Sequence, residues 1–376
     1  MAIVKFGDVA SRLNIHVDQS NTDLEYYIGG EHIESCEFMI HSKAPIKGAT
    51  IGYQFQFGFE SGDILFMTKN PHLRKASMVD FRGLCSIATF VIRTNNQDVL
   101  LQEFLLTEMQ TDRFWNYLEE HKSGGVNYFI NWGTLSNYEF ELPDILTQKE
   151  IADKAWAAYR LKESYKRLLA ATDEMVKSQF IEMFGDKQWK EVHLEDVVSE
   201  DCSLSYGIVQ PGEGVNEGIP VVRPVDLINN IVEPDNLKRT TTEIANAYKR
   251  TTLRGGELLL CVRGTTGLLA MASNNLNGGN VTRGIVPIWF RQNVSKSFMF
   301  YLMKSDYVQK QIKDKTYGTT LLQINIKDLR QIKVILPPDT LQQEFIAIAE
   351  QADKSKFELR KSIDAIDAVI KSLINN

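Results

Sequence analysis

The alternation of apolar and polar residues is most regular in two long stretches, one in the middle of the chain and one at its end. Within residues 148–185, apolar side chains recur at steps of three, four or seven, which is the spacing of one face of an α-helix. The same pattern returns 194 residues later. About 37 residues at roughly 1.5 Å each make a helix of about 55 Å, longer than most globular helices. We predict two long helices that pair as in a coiled coil, with two surface helices on separate cores as the alternative.

Each predicted long helix carries its apolar seam at matching positions. The seam residues predicted to pair are Ile151, Ala155, Ala158, Tyr165, Leu169, Val176, Phe345, Ala349, Ala352, Leu359, Ile363 and Ile370. A lysine interrupts both seams, Lys162 in the first and Lys356 in the second. Either the lysine stem lies along apolar neighbours with its amine in water, or the lysine is a polar position that sets the register. Trp156 and Tyr159 lie beside the first seam and are either extra core or a docking surface for partner helices.

The repeat extends well beyond the two helices. The matches at the same offset of 194 residues are Gly62-Asp63 with Gly256-Glu257, Ile130-Asn131 with Ile324-Asn325, Leu135 with Leu329, Leu142-Pro143 with Leu336-Pro337, and Gln148 with Gln342. Near each start, VKFGDV (4–9) matches VHLEDV (192–197) at an offset of 188. A long period that occurs twice predicts two similar domains and not a solenoid. The predicted order is a domain over 1–146, a helix over 147–186, a domain over 187–339 and a helix over 340–376.

Each copy has the pattern of a mixed α/β domain. Short, apolar, β-branched stretches between turn residues predict strands over 64–68 and 87–93 in the first copy, and over 257–262 and 284–290 in the second. One helix is predicted to follow in each copy, over 100–121 and 297–315, and then a polar loop and a last strand. The predicted fold class is therefore α+β, with two similar mixed α/β domains separated by two long helices.

The composition limits the class of protein without deciding it. The first residues have neither the basic run nor the apolar core of a signal peptide, and no window approaches 18 apolar residues, so we expect no membrane span. Four widely spaced cysteines predict reduced thiols in the cytoplasm. The net charge of −6 is unevenly divided, with −8 over residues 1–146 and +3 over 187–339. A DNA-binding protein of this composition has to concentrate positive charge locally or gain it from a partner.

Sequence motifs for catalysis are missing. The chain contains no GxxxxGK[ST] phosphate loop, no HExxH, and no paired cysteines or histidine cluster suited to a metal. Pro-Asp pairs begin at 143, 234 and 338, but no Asp/Glu-x-Lys follows at nuclease spacing. GlyThrThrGly at 264–267 is more typical of a backbone bend than of a phosphate cradle. We therefore expect no catalytic residue, metal site or cofactor in this chain.

The polar loops offer binding chemistry instead. Arg and Asn can make two hydrogen bonds to guanine or adenine edges, and Lys and Thr can contact phosphate. For each such residue alone, a solvated loop or a turn hydrogen bond is the simpler interpretation, whereas the two sets together indicate DNA binding. The candidates in the first copy are Lys69, Asn70, Arg74, Lys75, Arg82, Asn127, Tyr128 and Asn131. The candidates in the second copy are Tyr206, Gln210, Arg223, Arg263, Thr265, Asn280, Arg283, Tyr317 and Thr319.

The repeated plan and several fragments resemble a known family. GGELLLCVRGTTG, RGIVPIWF and LPPDTLQQEFIAIAEQADK in the second copy, and ESGDILFMTKN and LPDILTQKEIADKAW in the first, look like segments of the specificity (S) subunit of type I restriction-modification systems. The most specific parts are the Leu-Pro-x-x-x-x-Gln-x-Glu junctions at 142–150 and 336–344. The resemblance covers essentially the whole chain. Recognition loops differ between members of that family, so the resemblance assigns no base-reading residue.

The resemblance implies a division of labour. Each target-recognition domain would read one half of a split sequence in double-stranded DNA, and the two helices would lie antiparallel and fix the gap between the halves. Two methyltransferase (M) subunits would dock beside the helices and supply S-adenosylmethionine for adenine N6 methylation. Restriction (R) subunits would add cleavage driven by ATP and Mg. The alternatives are the specificity subunit of a related defence methyltransferase system, or a scaffold whose domains bind proteins.

Overall fold

The computed structural model describes residues 2–19, 21–185 and 188–375. The chain forms two compact units. Unit 1 comprises Met1–Leu168 and Glu358–Asn376, and unit 2 comprises Leu169–Phe357. The predicted four-segment division stays a prediction, and its boundary between residues 186 and 187 lies outside the described residues.

Unit 1 is a mixed α/β globule. Its strands are β1 (Ala2–Lys5), β2 (Ala10–Leu13), β3 (Ile15–His16), β4 (Tyr26–Ile28), β5 (Ala44–Pro45), β6 (Phe55–Phe59), β7 (Ile64–Met67), β8 (Ala76–Met78), β9 (Gly83–Ser86), β10 (Thr89–Thr94) and β11 (Glu139–Leu142). Its shorter helices are α1 (Phe6–Val9), α2 (Gln102–Met109), α3 (Asp112–Glu120) and α4 (Trp132–Ser136). The strands form a sheet of order β2-β10-β7-β8, a sheet of order β3-β6-β9-β4-β5, and an antiparallel β1-β11 pair. The main core lies between the first sheet and helices α2 and α3, where Phe66, Phe114 and Trp115 are fully buried.

Unit 2 repeats much of this plan. Its strands are β12 (Glu191–His193), β13 (Ile219–Val222), β14 (Ile231–Val232), β15 (Lys238–Thr240), β16 (Leu258–Cys261), β17 (Leu269–Ala272), β18 (Asn280–Val281), β19 (Ile285–Ile288) and β20 (Lys333–Ile335). Its shorter helices are α6 (Leu194–Val197), α7 (Thr242–Asn246), α8 (Lys296–Lys304), α9 (Asp306–Asp314) and α10 (Ile326–Arg330). The sheets have the orders β14-β17-β16-β19, β15-β13-β18 and β12-β20. The four strands predicted from the sequence correspond to β7, β10, β16 and β19, so those predictions are confirmed.

The prediction of one helix after each sheet was wrong, because a hydroxyl residue divides each stretch into two helices. Thr111 separates α2 from α3, and its Oγ1 accepts a hydrogen bond from the Phe114 amide at 3.2 Å. Ser305 separates α8 from α9 in an extended conformation, and its Oγ donates to the Leu302 carbonyl at 2.6 Å. Thr111 thus caps the start of α3, whereas the Ser305 hydroxyl binds a carbonyl at the end of α8 and makes no side-chain bond to the start of α9. Both hydroxyls bind backbone groups close to a helix end.

The repeat is present in the backbone hydrogen bonds. In unit 1 the Ile130 amide donates to the Thr68 carbonyl at 2.9 Å, and in unit 2 the Ile324 amide donates to the Val262 carbonyl at 3.0 Å. Both residues of each bond are displaced by 194 positions, the offset found in the sequence. The two units are therefore built on one local plan, and the recognition of an internal repeat is confirmed.

The two long helices are α5 (Ile145–Phe184) and α11 (Asp339–Asn375). The start of each helix is fixed by a buried glutamine. Gln148 donates from Nε2 to the Pro143 carbonyl at 2.9 Å, and Gln342 donates to the Pro337 carbonyl at 2.8 Å. This bond explains why the junction motif has proline and glutamine at this spacing, since the side chain binds a carbonyl that the proline places before the helix.

The long helices pair in each unit. In unit 1 the Lys162 amine lies 2.7 Å from Asp367, and in unit 2 the Lys356 amine lies 2.8 Å from Asp173. The Phe180 and Phe345 rings of unit 2 lie 5.5 Å apart, so later residues of α5 contact earlier residues of α11. The helices are therefore antiparallel there.

The predicted seam residues are all at least partly buried. The buried ones are Ala155, Phe345, Ala349, Ala352 and Ile370. The half-buried ones are Ile151, Ala158, Tyr165, Leu169, Val176, Leu359 and Ile363. The pairing role of each single residue stays a prediction.

The structure shows the surroundings of Trp156, Tyr159 and Lys162, each of which has two possible interpretations from the sequence. Trp156 and Tyr159 belong to the core of unit 1, where Phe38 stacks on Tyr159 with centroids 5.0 Å apart. Lys162 is buried, and its amine lies 3.0 Å from Glu37 as well as beside Asp367. Burial alone lowers the pKa of Lys162, but the bonds to these two carboxylates outweigh it and raise the pKa above the usual lysine value. The amine of Lys162 is therefore ion-paired and not left in water, and its role in setting the register stays a prediction.

Candidate nucleic-acid interface

Four loops of unit 2 meet at one surface. The turn between β16 and β17 joins the stretch before α10, where the Gly264 amide donates to the Leu322 carbonyl at 2.8 Å and Arg263 and Tyr317 both bridge to Gln323. The Tyr206 hydroxyl donates to the Ile324 carbonyl at 3.4 Å. These bonds bring together residues that are up to 118 positions apart in the sequence.

The loop around Arg283 completes this surface. The Ile208 amide donates to the Val281 carbonyl at 2.8 Å, and the Arg283 amide donates back to the Ile208 carbonyl at 2.8 Å. We call the surface formed by Tyr206, Arg263, Thr265, Arg283 and Tyr317 the unit 2 loop surface. It contains five of the nine residues predicted for this copy.

The unit 2 loop surface is basic. Neither Arg263 nor Arg283 has a carboxylate within 4.0 Å among the residues that the structure describes. Burial raises the pKa of Tyr206 and Tyr317 adds to the effect, whereas Arg283 and Arg263 act in the opposite direction. These four side chains therefore share one electrostatic environment. Two uncompensated guanidinium groups beside two tyrosines can hold a polyanion and stack on bases.

The GlyThrThrGly turn orients this surface. Gly264 and Gly267 have φ of +87° and +89°, a conformation that favours glycine. The amide of Thr266 donates to the Gly264 carbonyl at 3.0 Å and that of Gly267 to the Cys261 carbonyl at 2.9 Å. Because these amides are already bonded within the turn, the prediction of a backbone bend is confirmed, and exposed Thr265 lies at its tip.

Two predicted residues of unit 2 have structural roles. Asn280 is fully buried, accepts a hydrogen bond from Thr251 at 2.7 Å, and cannot reach a ligand. The prediction of a DNA contact for Asn280 was therefore wrong. Arg223 forms an ion pair with Asp226 at 2.8 Å, which caps a 3₁₀ turn. Gln210 and Thr319 are exposed and stay predictions.

In unit 1 the corresponding loops also meet, and carboxylates pair with two of the four candidate cations, Arg74 and Arg82. Lys69 and Asn70 lie against Tyr128 and Phe129, since the Asn70 amide donates to the Tyr128 carbonyl at 3.0 Å and Lys69 bridges to Phe129. Asn127 is exposed on the same loop, and the Lys122 amine lies 4.2 Å from the centre of the Tyr128 ring.

The other unit 1 candidates are bound within the protein. Arg74 pairs with Asp112 at 2.6 Å, Arg82 pairs with Asp23 at 2.7 Å, and Lys75 donates to the Gly30 carbonyl at 2.6 Å. Asn131 is exposed and caps α4 by accepting from the Thr134 amide at 2.8 Å. Carboxylates of this acidic copy therefore neutralise Arg74 and Arg82, whereas Lys75 binds a neutral carbonyl.

Sequence reasoning missed a basic pair beside Tyr206. A surface groove is lined by Tyr206, Lys249, Arg250 and Thr251, among others. The available signal was the adjacent Lys-Arg within a polar stretch of the more basic copy.

Two general findings concern the described residues. None of the helices that the structure describes is long and apolar enough to cross a membrane. No group of three or more His, Cys, Asp or Glu side chains in the described ranges is placed to hold a metal ion.

Comparisons with known proteins agree with this architecture. Residues 186–366 match the family model of the type I restriction modification DNA specificity domain. The chain is 24% identical over 193 residues to the type I restriction enzyme EcoBI specificity subunit of Escherichia coli, a match that covers 50% of this chain and 40% of that protein. The chain thus spans less than half the length of that curated relative.

Solved structures show the same fold over nearly the whole chain. The S subunit of the type I restriction-modification system from M. genitalium is 13% identical with a TM-score of 0.59, and the match covers 99% of this chain and 94% of that one. A chain from a structural study of the assembly and conformational transition of a type I system is 20% identical with a TM-score of 0.57, over 99% of this chain and 96% of that one. Residues 186–366 thus match a type I restriction modification DNA specificity domain, and the chain is similar to specificity subunits of type I restriction enzymes.

Proposed function

We propose that this chain selects the DNA sequence on which a type I restriction-modification complex acts, with each unit reading one half of a bipartite target. The observation that carries the proposal is the unit 2 loop surface, where Arg263 and Arg283 have no carboxylate partner within the described residues. Arginine makes bidentate bonds to guanine, and each such pair discriminates against the wrong base by about 1–3 kcal/mol. Unit 1 reads the other half through the loops around Lys69 and Tyr128.

The long helices fix the gap between the two half-sites in this proposal. The 40 residues of α5 measure about 60 Å at roughly 1.5 Å per residue. At 3.4 Å per base pair this length corresponds to about 18 base pairs, enough for two short half-sites and a gap. Because α5 and α11 are antiparallel and share ion pairs, the spacing is set by two helices and not by one flexible connection.

The chemistry belongs to partner subunits. Two methyltransferase subunits dock beside the long helices, bind S-adenosylmethionine and methylate adenine N6 after the base has left the stack. Restriction subunits bring ATP- and Mg-dependent cleavage. The chain itself contributes recognition, and the complex acts on DNA in the cytoplasm.

The test uses the complex of this chain with its methyltransferase subunits. Long-read sequencing of methylated DNA identifies the bipartite target, and binding to a duplex with that target is then measured at several salt concentrations. We expect R263A/R283A to weaken target binding and to relax one half-site only. The matched control is R254A/K333A, which removes the same charge from residues paired with Asp201 and Glu191. Equal loss in the control and the loop variant, or unchanged recognition in the loop variant, would contradict the proposal.

A further inference from the structure

A buried hydrogen-bond cluster in unit 2 supports a basic turn on the surface. Asn280 has no exposed surface and Thr251 is only 1% exposed. Asn280 accepts through Oδ1 from the Thr251 hydroxyl at 2.7 Å and donates through Nδ2 to the Tyr248 carbonyl at 3.2 Å. The asparagine thus binds both ends of the segment that carries Lys249 and Arg250.

The cluster is tied to the strand that leads to the unit 2 loop surface. Asn280 lies in β18, and its Oδ1 also accepts from the Val281 amide at 2.8 Å. The Val281 carbonyl accepts from Ile208, and the Ile208 carbonyl accepts from Arg283. One set of bonds therefore holds the basic turn at a fixed position relative to Tyr206 and Arg283.

Lys249 and Arg250 are exposed and uncompensated. Neither has a carboxylate within 4.0 Å among the residues described in unit 2. Both line the groove that Tyr206 also lines. Exposed lysine and arginine side chains are suited to contact DNA phosphates, and the surface beside them offers side chains that can contact bases.

We propose that Lys249 and Arg250 contact backbone phosphates of the half-site bound by unit 2, and that Asn280 and Thr251 are positioning residues for this contact. The inference rests on the proposed function and assigns residues to it. Phosphate contacts carry no sequence information but fix the register of a protein on the duplex. The pair therefore contributes affinity without choosing bases.

The experiment compares the salt dependence of binding in the complex with the methyltransferase subunits. The probes are a 30-base-pair duplex of random sequence and a duplex with the methylated target. Each lost phosphate contact lowers the slope of log K against log salt by about 0.9, so K249A/R250A should lower it by about 2 on both duplexes. The preference for the target over the random duplex should stay unchanged, and R254A/K333A should keep the wild-type slope.

Three outcomes are distinguishable. If wild type shows no salt-dependent binding to either duplex, the proposed function fails. If wild type binds and K249A/R250A keeps the wild-type slope, this inference alone is overturned. A change in base preference with an unchanged slope also overturns it, since the pair would then read bases.

The positioning role has its own matched pair of variants. Thr251→Val has nearly the same shape but loses the hydroxyl, whereas Thr251→Ser keeps it. We expect Thr251→Val to lower the salt slope although all charges remain, and Thr251→Ser to retain it. Thermal unfolding establishes that both variants fold. Folded Thr251→Val with the wild-type slope would refute the role of the buried cluster.

Discussion

Replacement of Gln148 by alanine tests why the junction before each long helix has its sequence. The Gln148 side chain has no exposed surface. Its Oε1 accepts from the Leu101 amide at 3.0 Å, and its Nε2 donates to the carbonyls of Val99 and Pro143, both at 2.9 Å. One side chain thus connects the start of α5 to the start of α2.

The expected loss of stability follows from the backbone groups that lose their hydrogen-bond partner in Gln148→Ala. A buried polar group without its partner costs about 1–3 kcal/mol. Because Val99 is exposed, its carbonyl can bind water after the substitution. The Leu101 amide and the Pro143 carbonyl are then the two groups that are left without a partner. The higher helix propensity of alanine offsets only a few tenths of a kcal/mol of this loss of stability. We therefore expect Gln148→Ala to reduce the free energy of unfolding of unit 1 by about 3 kcal/mol.

The assay is urea unfolding followed by tryptophan fluorescence. Trp115, Trp132 and Trp156 lie in unit 1 and report on it. The matched control is Gln343→Ala, which changes the same residue type at an exposed helix position and should alter stability by less than 0.5 kcal/mol. A loss below about 1 kcal/mol in Gln148→Ala would refute the reasoning, because the amide bonds would then not hold the junction.

Three further predictions concern spacing, independence and pH. One heptad added to both long helices lengthens each by about 10 Å, so the gap between the half-sites should grow by about three base pairs while the base sequence of both half-sites stays the same. Sequencing of methylated DNA measures both, and a changed half-site sequence would refute the spacer model. Exchange of residues 187–339 for the equivalent segment of a type I specificity subunit should change one half-site only, and a change in both would refute independent reading. Burial raises the pKa of Glu37, but bonds from Lys166 and Lys162 outweigh it and lower the pKa below its usual value. The stabilisation is therefore present above the unfolded pKa of about 4.3 and is lost as pH falls through the folded value. In Glu37→Gln the free energy of unfolding should therefore decrease less steeply as the pH falls. An unchanged dependence of the free energy of unfolding on pH would contradict this.

The architecture could be predicted because it is encoded in local, repeated signals. The offset of 194 residues appears in the apolar seam, in Gln148 and Gln342, and again in the backbone bonds that join each unit's loops. The division of each predicted helix into two was missed because Thr111 and Ser305 occur within stretches that otherwise have helical spacing. Only the surrounding fold decides whether such a hydroxyl points to solvent or caps a new helix.

The site could be predicted only in part because side-chain type does not reveal burial. Asn280 and Arg283 are three residues apart in the sequence, yet the first is buried in a hydrogen-bond cluster and the second is exposed. Compensation by carboxylates is equally hidden, since Arg74 and Asp112 are 38 residues apart. The proposed phosphate contact of Lys249 and Arg250 depends on hydrogen bonds between β18 and a turn that is distant in sequence. The residues around positions 249 and 250 do not predict those hydrogen bonds.

The ion pairs between Lys162 and Asp367 and between Lys356 and Asp173 favour the antiparallel orientation of the long helices over the parallel one. In each long helix the aspartate of these ion pairs follows the lysine by 11 residues. Aligned head to head, the two helices would set lysine against lysine and aspartate against aspartate, which like-charge repulsion disfavours. With one helix reversed, each of these two lysines meets an aspartate, so the charge pattern of either helix is complementary to that of an inverted copy of the same helix.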